Sequence, residues 1–152
     1  MVMRRAILSL LVLLVPAFAA LAGGPITWSF EAVAAADGKV EVHLKVTCEE
    51  GWHIYALTLP RDDGPIPTAV RVNPSAEHVA GAVVEPKPEE AYDPNFGMDL
   101  RFHERTAVFV VPVERLAKGG FTVSGEVEYM ACNEKTCLPP VAVPFSVTVP
   151  AP

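Results

Sequence analysis

Val40-Glu41-Val42-His43-Leu44-Lys45-Val46 alternates without a break, with Val40, Val42, Leu44 and Val46 on one face and Glu41, His43 and Lys45 on the other. Successive side chains of an extended strand point to opposite faces, so a period of two marks a strand with one face on a core and one toward water. Phe121 to Tyr129 repeats the pattern through Phe121, Val123, Gly125, Val127 and Tyr129. Further strand-like runs cover Ile26 to Val33, Gly51 to Leu59, Thr68 to Val72, Val79 to Val84, Thr106 to Val113 and Val141 to Val149. Pro or Gly bounds most of them, as turn chemistry requires.

No window carries a helical stripe; Glu114 with Leu116-Ala117-Lys118 suggests a single helical turn before Gly119-Gly120. The 15 prolines sit mostly between the runs, and Pro112 and Pro144, which lie inside them, are expected at edge positions or bulges. Seven or eight short strands at this spacing predict an all-β chain, an immunoglobulin-like β-sandwich in preference to a barrel. The Cys…Trp…Cys pin of antibody domains is missing. Arg61 to Pro67 is an ordinary Pro/Gly connection, but Pro86 to Arg105 is longer and contains Tyr92-Asp93-Pro94-Asn95-Phe96-Gly97-Met98. Long loops on a sandwich are often functional. Phe96 and Met98 are apolar enough that this loop is expected to pack onto something.

The N-terminus points to export. Arg4 and Arg5 precede an apolar run from Ala6 to Val15, then Pro16, then Ala17-Phe18-Ala19 and Ala20-Leu21-Ala22. That is the three-part pattern of a cleaved signal peptide, here residues 1–22, and the apolar run is short for an uncleaved membrane span. No Cys lies near the cleavage region, so a lipid-modified N-terminus is not expected. Residues 23–152 then form one domain of about 130 residues. Its charge is more negative than the -6 of the whole chain, since two arginines leave with the signal. An acidic domain without basic clusters is a poor nucleic-acid binder, so nucleic acid is excluded as a partner.

Three cysteines remain, Cys48, Cys132 and Cys137, in a compartment where thiols tend to be paired or cycled. Cys132-Asn133-Glu134-Lys135-Thr136-Cys137 reads as the tip of a hairpin whose arms are Tyr129 to Cys132 and Leu138 onward. Facing residues at non-hydrogen-bonded positions lie with Cα atoms about 4.5 Å apart, within reach of a disulfide. As a staple the bond is weak: a loop of about six residues constrains the unfolded chain by about 2 kcal/mol, whereas linking Cys48 to either partner would give about 4.5 kcal/mol. A short exposed bond suits opening and closing. Two alternatives stay open, a structural disulfide in a non-enzymatic binding domain and a copper or zinc site. The metal site would add His53 or His103, with Met98 and Met130 as soft ligands for copper, but it lacks a second close-spaced ligand pair.

Lys135 would lower a thiol pKa slightly, Glu134 would oppose it, and no helix N-terminus is at hand to stabilise a thiolate. Cys48 fits a small buried hydrophobe better than a third reactive thiol. Trp28, Trp52 and Phe109 are expected in the core, His43 and Glu89-Glu90 in solvent, and His78 and His103 unpaired near loops. No Ser/His/Asp set, phosphate loop or carboxylate pair supports a hydrolase, and no cofactor is expected.

Tyr129-Met130-Ala131-Cys132-Asn133-Glu134-Lys135-Thr136-Cys137-Leu138-Pro139-Pro140 resembles the active-site hairpin of the N-terminal periplasmic domain of DsbD, the thiol:disulfide interchange protein. Gly51-Trp52-His53-Ile54-Tyr55 is similar to that family's aromatic strand near the thiols, and Tyr92 to Met98 to the loop that covers them. The resemblance runs from about Ile26 to Val149, with the Cys hairpin as its specific part. It implies an immunoglobulin-like sandwich with both cysteines at one end, and a shuttle without cofactor. Electrons would come from the thioredoxin-like domain of a DsbD-type membrane transporter. They would pass to a periplasmic disulfide isomerase or to thioredoxin-like proteins of cytochrome c maturation. Carried over by position, Cys137 would form mixed disulfides and Cys132 resolve them, Phe96 with Asn95 would form the cap, and His53 and Tyr55 would line the site. The chain departs from the family pattern in a spacer of four residues, where the best-known members have five, and in His53, where an aromatic is often found. These 152 residues carry no membrane or thioredoxin-like domain, so the electron source is expected either in a separately encoded transporter or in a longer gene of which this chain is a fragment.

Overall fold

A computed structural model describes residues 24–36 and 39–152, so residues 1–22, read as a signal peptide, lie outside the described residues. The described residues form eleven strands: β1 Ile26–Ala34, β2 Val40–Cys48, β3 His53–Tyr55, β4 Ala69–Val72, β5 His78–Ala80, β6 Glu89–Asp93, β7 Met98–Glu104, β8 Thr106–Arg115, β9 Phe121–Tyr129, β10 Ala131–Cys132 and β11 Val141–Val149. The described residues hold no α-helix.

The alternation of β2 does what its pattern requires. Val42, Leu44 and Val46 are fully buried, and so are Phe109 and Val111 of β8 and Val123 of β9. Each fully buried aliphatic or aromatic side chain contributes about 1.5–3 kcal/mol. β1, β2, β8 and β5 form one antiparallel sheet in that order, and β11, β9 and β4 a second. Their inner faces share one core, in which Trp28 of β1 lies 5.7 Å from Tyr129 of β9 and Phe30 lies 5.3 Å from Phe145 of β11, ring centre to ring centre. This is the immunoglobulin-like sandwich. Trp28 and Trp52 pack against that core and Phe109 lies within it.

The two prolines sit where a missing N–H is tolerated. Pro144 is on β11, an edge strand. Pro112 directs its carbonyl to the Gly81 N–H at 2.8 Å, at the point where the chain leaves β5 and bulges before Val84 rejoins β8 opposite Val110. Gly125 is required by close approach: a Cβ there would lie 2.1 Å from the Arg71 carbonyl oxygen of β4 and 2.8 Å from the Phe145 ring.

A third sheet, in the order β10-β3-β7-β6, positions the site. It continues the sandwich at one end. The β2–β8 ladder ends at Thr47 opposite Thr106, and the β3–β7 ladder begins at His53 opposite Glu104. Between them the chain turns through Gly51 (φ 79°) on one side and kinks at Arg105 (φ 58°) on the other.

Two expectations are corrected. Pro86 to Arg105 is not a long irregular loop: β6 and β7 pair as a hairpin, and only Pro94–Gly97 remains as its tip. β6 is exposed along Glu89–Tyr92, so no burial imposes alternation on its sequence. The helical turn after Glu114 does not form. β8 runs on to Arg115, and the N–H groups of Leu116 and Ala117 both reach the Glu77 carbonyl at 2.9 Å.

Candidate functional site

Cys132 and Cys137 are bonded, and they face each other as an antiparallel pair with Cα atoms 4.1 Å apart. The flanking bonds are Asn133 N–H to the Thr136 carbonyl (2.9 Å) and Leu138 N–H to the Ala131 carbonyl (2.8 Å). That arrangement defines a non-hydrogen-bonded pair, where side chains approach most closely. Asn133 folds the tip. Its Oδ1 accepts from the N–H groups of Lys135 and Thr136, both at 2.9 Å, an Asx turn that fixes the four-residue spacer.

The two sulfurs differ in environment. Cys132 is fully buried, while Cys137 is partly exposed. Around them lies a second apolar cluster of Tyr55, Leu100 and Cys132, with Phe96, Met98, Phe102 and Cys137 packed against it. Met98, Leu100 and Phe102 alternate on one face of β7, and Tyr55 lies opposite Phe102, so one face of the third sheet forms the floor of the site.

Phe96 sits at the β6–β7 tip, its ring edge-on to Tyr55 at 6.0 Å. Gly97 closes that tip at φ 67°, a conformation that favours glycine. Asn95 ties the tip to the cysteine hairpin, its Nδ2 donating to the Asn133 carbonyl at 2.8 Å.

Asp93 underlies this tip, and its place here was not anticipated from sequence. It is 4 % exposed. Its Oδ2 accepts the Tyr55 hydroxyl at 2.6 Å, its Oδ1 the Asn95 N–H at 2.8 Å, and its carbonyl the Gly97 N–H at 2.8 Å. A carboxylate that opens a Pro-containing turn is a recognisable Asx signal, but its buried partner Tyr55 is visible only in the fold. Burial and the neighbouring Asp93 push the Tyr55 hydroxyl pKa upward, so it stays a donor. His53 lies opposite Cys132 in the β3–β10 pair, and its Nε2 is 3.6 Å from Asp93 Oδ2. Burial holds its pKa below the ordinary histidine value, partly offset by Asp93 and Glu104.

All six residues expected at the site, Cys132, Cys137, His53, Tyr55, Asn95 and Phe96, thus come together at one end of the sandwich. His103 does not join them. It faces the other side of β7, is 5 % exposed, and bonds Glu85 Oε1 at 2.9 Å, so the expectation that nothing pairs it is corrected. Of the two histidines weighed as metal ligands beside the thiols, His103 therefore lies on the wrong face. His78 is likewise buried, in β5, its ring stacked on Phe121 at 5.4 Å. Cys48 is buried in the main core with its Sγ 3.7 Å from the His103 carbonyl, and burial pushes its thiol up to about 11. A thiol so protonated is a poor nucleophile.

The family model for the thiol:disulfide interchange protein DsbD, N-terminal, matches residues 24–148. The N-terminal domain of Neisseria meningitidis DsbD in its reduced form is similar in structure, at 19% identity and TM-score 0.56, over 82% of this chain and 86% of that one. The N-terminal periplasmic domain of ScsB from Proteus mirabilis matches at 14% identity and TM-score 0.54, over 82% of this chain and 45% of that one. The DsbD N-terminal domain of Neisseria meningitidis in its complex with the PilB N-terminal domain matches at 21% identity and TM-score 0.51, over 78% of this chain and 80% of that one. These likenesses establish the fold. No curated protein sequence matches the chain.

Proposed function

The chain belongs to the DsbD N-terminal domain family, whose chemistry is thiol:disulfide exchange, and we propose that here the exchange runs through Cys132 and Cys137. The observation that carries this is the asymmetry of the pair: one cysteine fully buried, the other partly exposed at the edge of the cluster against which Phe96 also packs. A partner can reach Cys137 and not Cys132. The Cys137 thiolate attacks a partner disulfide, forming a mixed disulfide and releasing one partner thiolate. Cys132 then attacks the Cys137 sulfur, releasing the second partner thiolate and restoring the Cys132–Cys137 bond. Two electrons leave the domain and the partner's disulfide becomes a dithiol. Reduction reverses these steps.

Phe96 and Asn95 shield the bond until a partner displaces the tip, while Tyr55 and His53 line the floor. The domain, residues 23–152, acts in the periplasm after removal of residues 1–22. It receives electrons from the thioredoxin-like domain of a DsbD-type membrane transporter. It passes them to a disulfide isomerase or to thioredoxin-like proteins of cytochrome c maturation. A Cys132→Ala variant tests this, because its mixed disulfides cannot be resolved. Covalent complexes with thioredoxin-fold proteins should accumulate in the periplasm and vanish on adding Cys137→Ser. Absence of any such complex would return the bond to a structural role.

A further inference from the structure

Cys132 presents a chemical problem that the exchange cycle must solve. Its sulfur is fully buried, so it can neither lose nor gain a proton directly from water. A bare thiolate in an apolar cluster is disfavoured, yet Cys132 must become one to attack the mixed disulfide. The proton has to pass to a neighbouring group that also reaches solvent.

His53 is such a group. It is the cross-strand partner of Cys132, and directly opposed side chains share a face with Cβ atoms about 4.5–5.5 Å apart. Its ring lies 5.2 Å from that of Tyr55, which packs in the same cluster as Cys132. The side chain is 12% exposed, and its buried Nε2 lies 3.6 Å from Asp93 Oδ2 without forming a hydrogen bond, so the imidazole has part of its surface in water and a nitrogen able to exchange a proton. The titratable groups facing it are Asp93 from the end of β6, Glu104 opposite it on β7, Tyr55 on its own strand and Cys132 on β10; the Phe102 ring closes the remaining side at 5.0 Å. The two carboxylates favour an imidazolium, and burial opposes it.

We propose that His53 is the acid–base residue of the buried sulfur, accepting the Cys132 proton in the resolving step and returning it when the disulfide is reduced. This rests on the exchange cycle proposed above. In resolution the Cys132 thiol transfers its proton to the imidazole, and the new thiolate attacks the Cys137 sulfur. The partner thiolate departs, and the imidazolium gives its proton to that thiolate or to water. In reduction an incoming thiolate attacks Cys137, Cys132 leaves with the electron pair of the S–S bond, and the imidazolium protonates it. Asp93 is a positioning residue in this scheme, holding the ring and favouring its charged form.

The test uses the reduced domain and dithiobis-nitrobenzoate, whose released thiolate is coloured. Attack by Cys137 releases the first equivalent, and resolution by Cys132 releases the second. In His53→Phe the second phase should slow relative to the first by about a hundredfold, the low end of general acid–base effects. Its pH dependence should move to that of unaided thiol ionisation. His53→Gln, which keeps a polar side chain, should show the same loss and guards against misfolding of the first variant. Unchanged second phases with unchanged pH profiles in both variants would overturn the role of His53. A wild-type domain that releases no second equivalent would instead overturn the exchange cycle itself.

Discussion

Asn95→Ala removes a side-chain bond that ties the β6–β7 tip, the proposed cap, to the cysteine hairpin, from Asn95 Nδ2 to the Asn133 carbonyl at 2.8 Å. That bond is exposed, so its net contribution is about 1 kcal/mol, within a range of about 0.5–1.5. The partners separate without stranding a buried group, because water replaces the amide. The cost therefore falls on the closed cap alone, and 1 kcal/mol shifts a closed-to-open equilibrium about fivefold. If a reductant must wait for the tip to move, the rate of disulfide reduction rises by the same factor, about two- to twelvefold over the stated range. The assay is the pseudo-first-order reduction of the Cys132–Cys137 bond by dithiothreitol at fixed pH. Asn95→Asp is the companion variant: its carboxylate cannot donate and faces a carbonyl, so acceleration should be at least as large. Melting temperature should change little, since the bond lies on the surface. A rate equal to wild type in both variants would refute cap gating, and a slower rate would reverse its sign.

Three further outcomes follow from the packing. Tyr55→Phe removes the hydroxyl that Asp93 accepts at 2.6 Å, and loss of a bond to a charged group should cost about 1.5–3 kcal/mol, read by denaturant unfolding. Combined with Asp93→Asn, the double-mutant cycle should show coupling above about 0.5 kcal/mol; strict additivity would mean that the pair is not a unit. Because burial depresses the His53 pKa in the folded state, the unfolded chain takes up that proton first, near its ordinary value of about 6.5. The stability from neutral His53 is thus complete above that pH and lost as pH falls through it. Melting temperature measured from about pH 7 to about pH 5 should decline more steeply for wild type than for His53→Phe, and parallel curves would contradict this. Gly125→Ala places a Cβ 2.1 Å from the Arg71 carbonyl oxygen, and overpacking against backbone should cost about 1–3 kcal/mol or more. A neutral effect would mean that β4 is free to move away from β9.

The sandwich was legible because its strands are amphipathic. β2 and β9 bury one face and wet the other, and their sequences say so residue by residue. The three short motifs around the site were legible as well, through the resemblance of the cysteine hairpin, the His53-Ile54-Tyr55 strand and the Phe96 tip. β6 was not, because an edge strand exposed on Glu89–Tyr92 has no buried face to write an alternation into its sequence. β7 does alternate at Met98, Leu100 and Phe102, but the run is short and follows the Pro94–Gly97 turn, so on sequence it merges with that turn into one loop. Asp93 escaped for a different reason: its buried partner Tyr55 is 38 residues away, and nothing local distinguishes a carboxylate that a fold will bury from one that it will solvate. His103 was hidden the same way, since Glu85 meets it across the end of the sheet. Pairings of this kind are set by topology, and spacing along the chain does not reveal them.

The proposed exchange function requires the Cys132–Cys137 bond to open and close. Its reduction potential tests this directly, by equilibrating the domain in graded glutathione and dithiothreitol buffers and quantifying free thiols after alkylation. A cycling bond should titrate reversibly with a midpoint in the range of thiol:disulfide carriers, about -180 to -270 mV, and the thiols released should be Cys132 and Cys137 with Cys48 unchanged. A bond that stays closed below about -300 mV behaves as a structural disulfide, and that result would contradict the exchange function assigned to this pair.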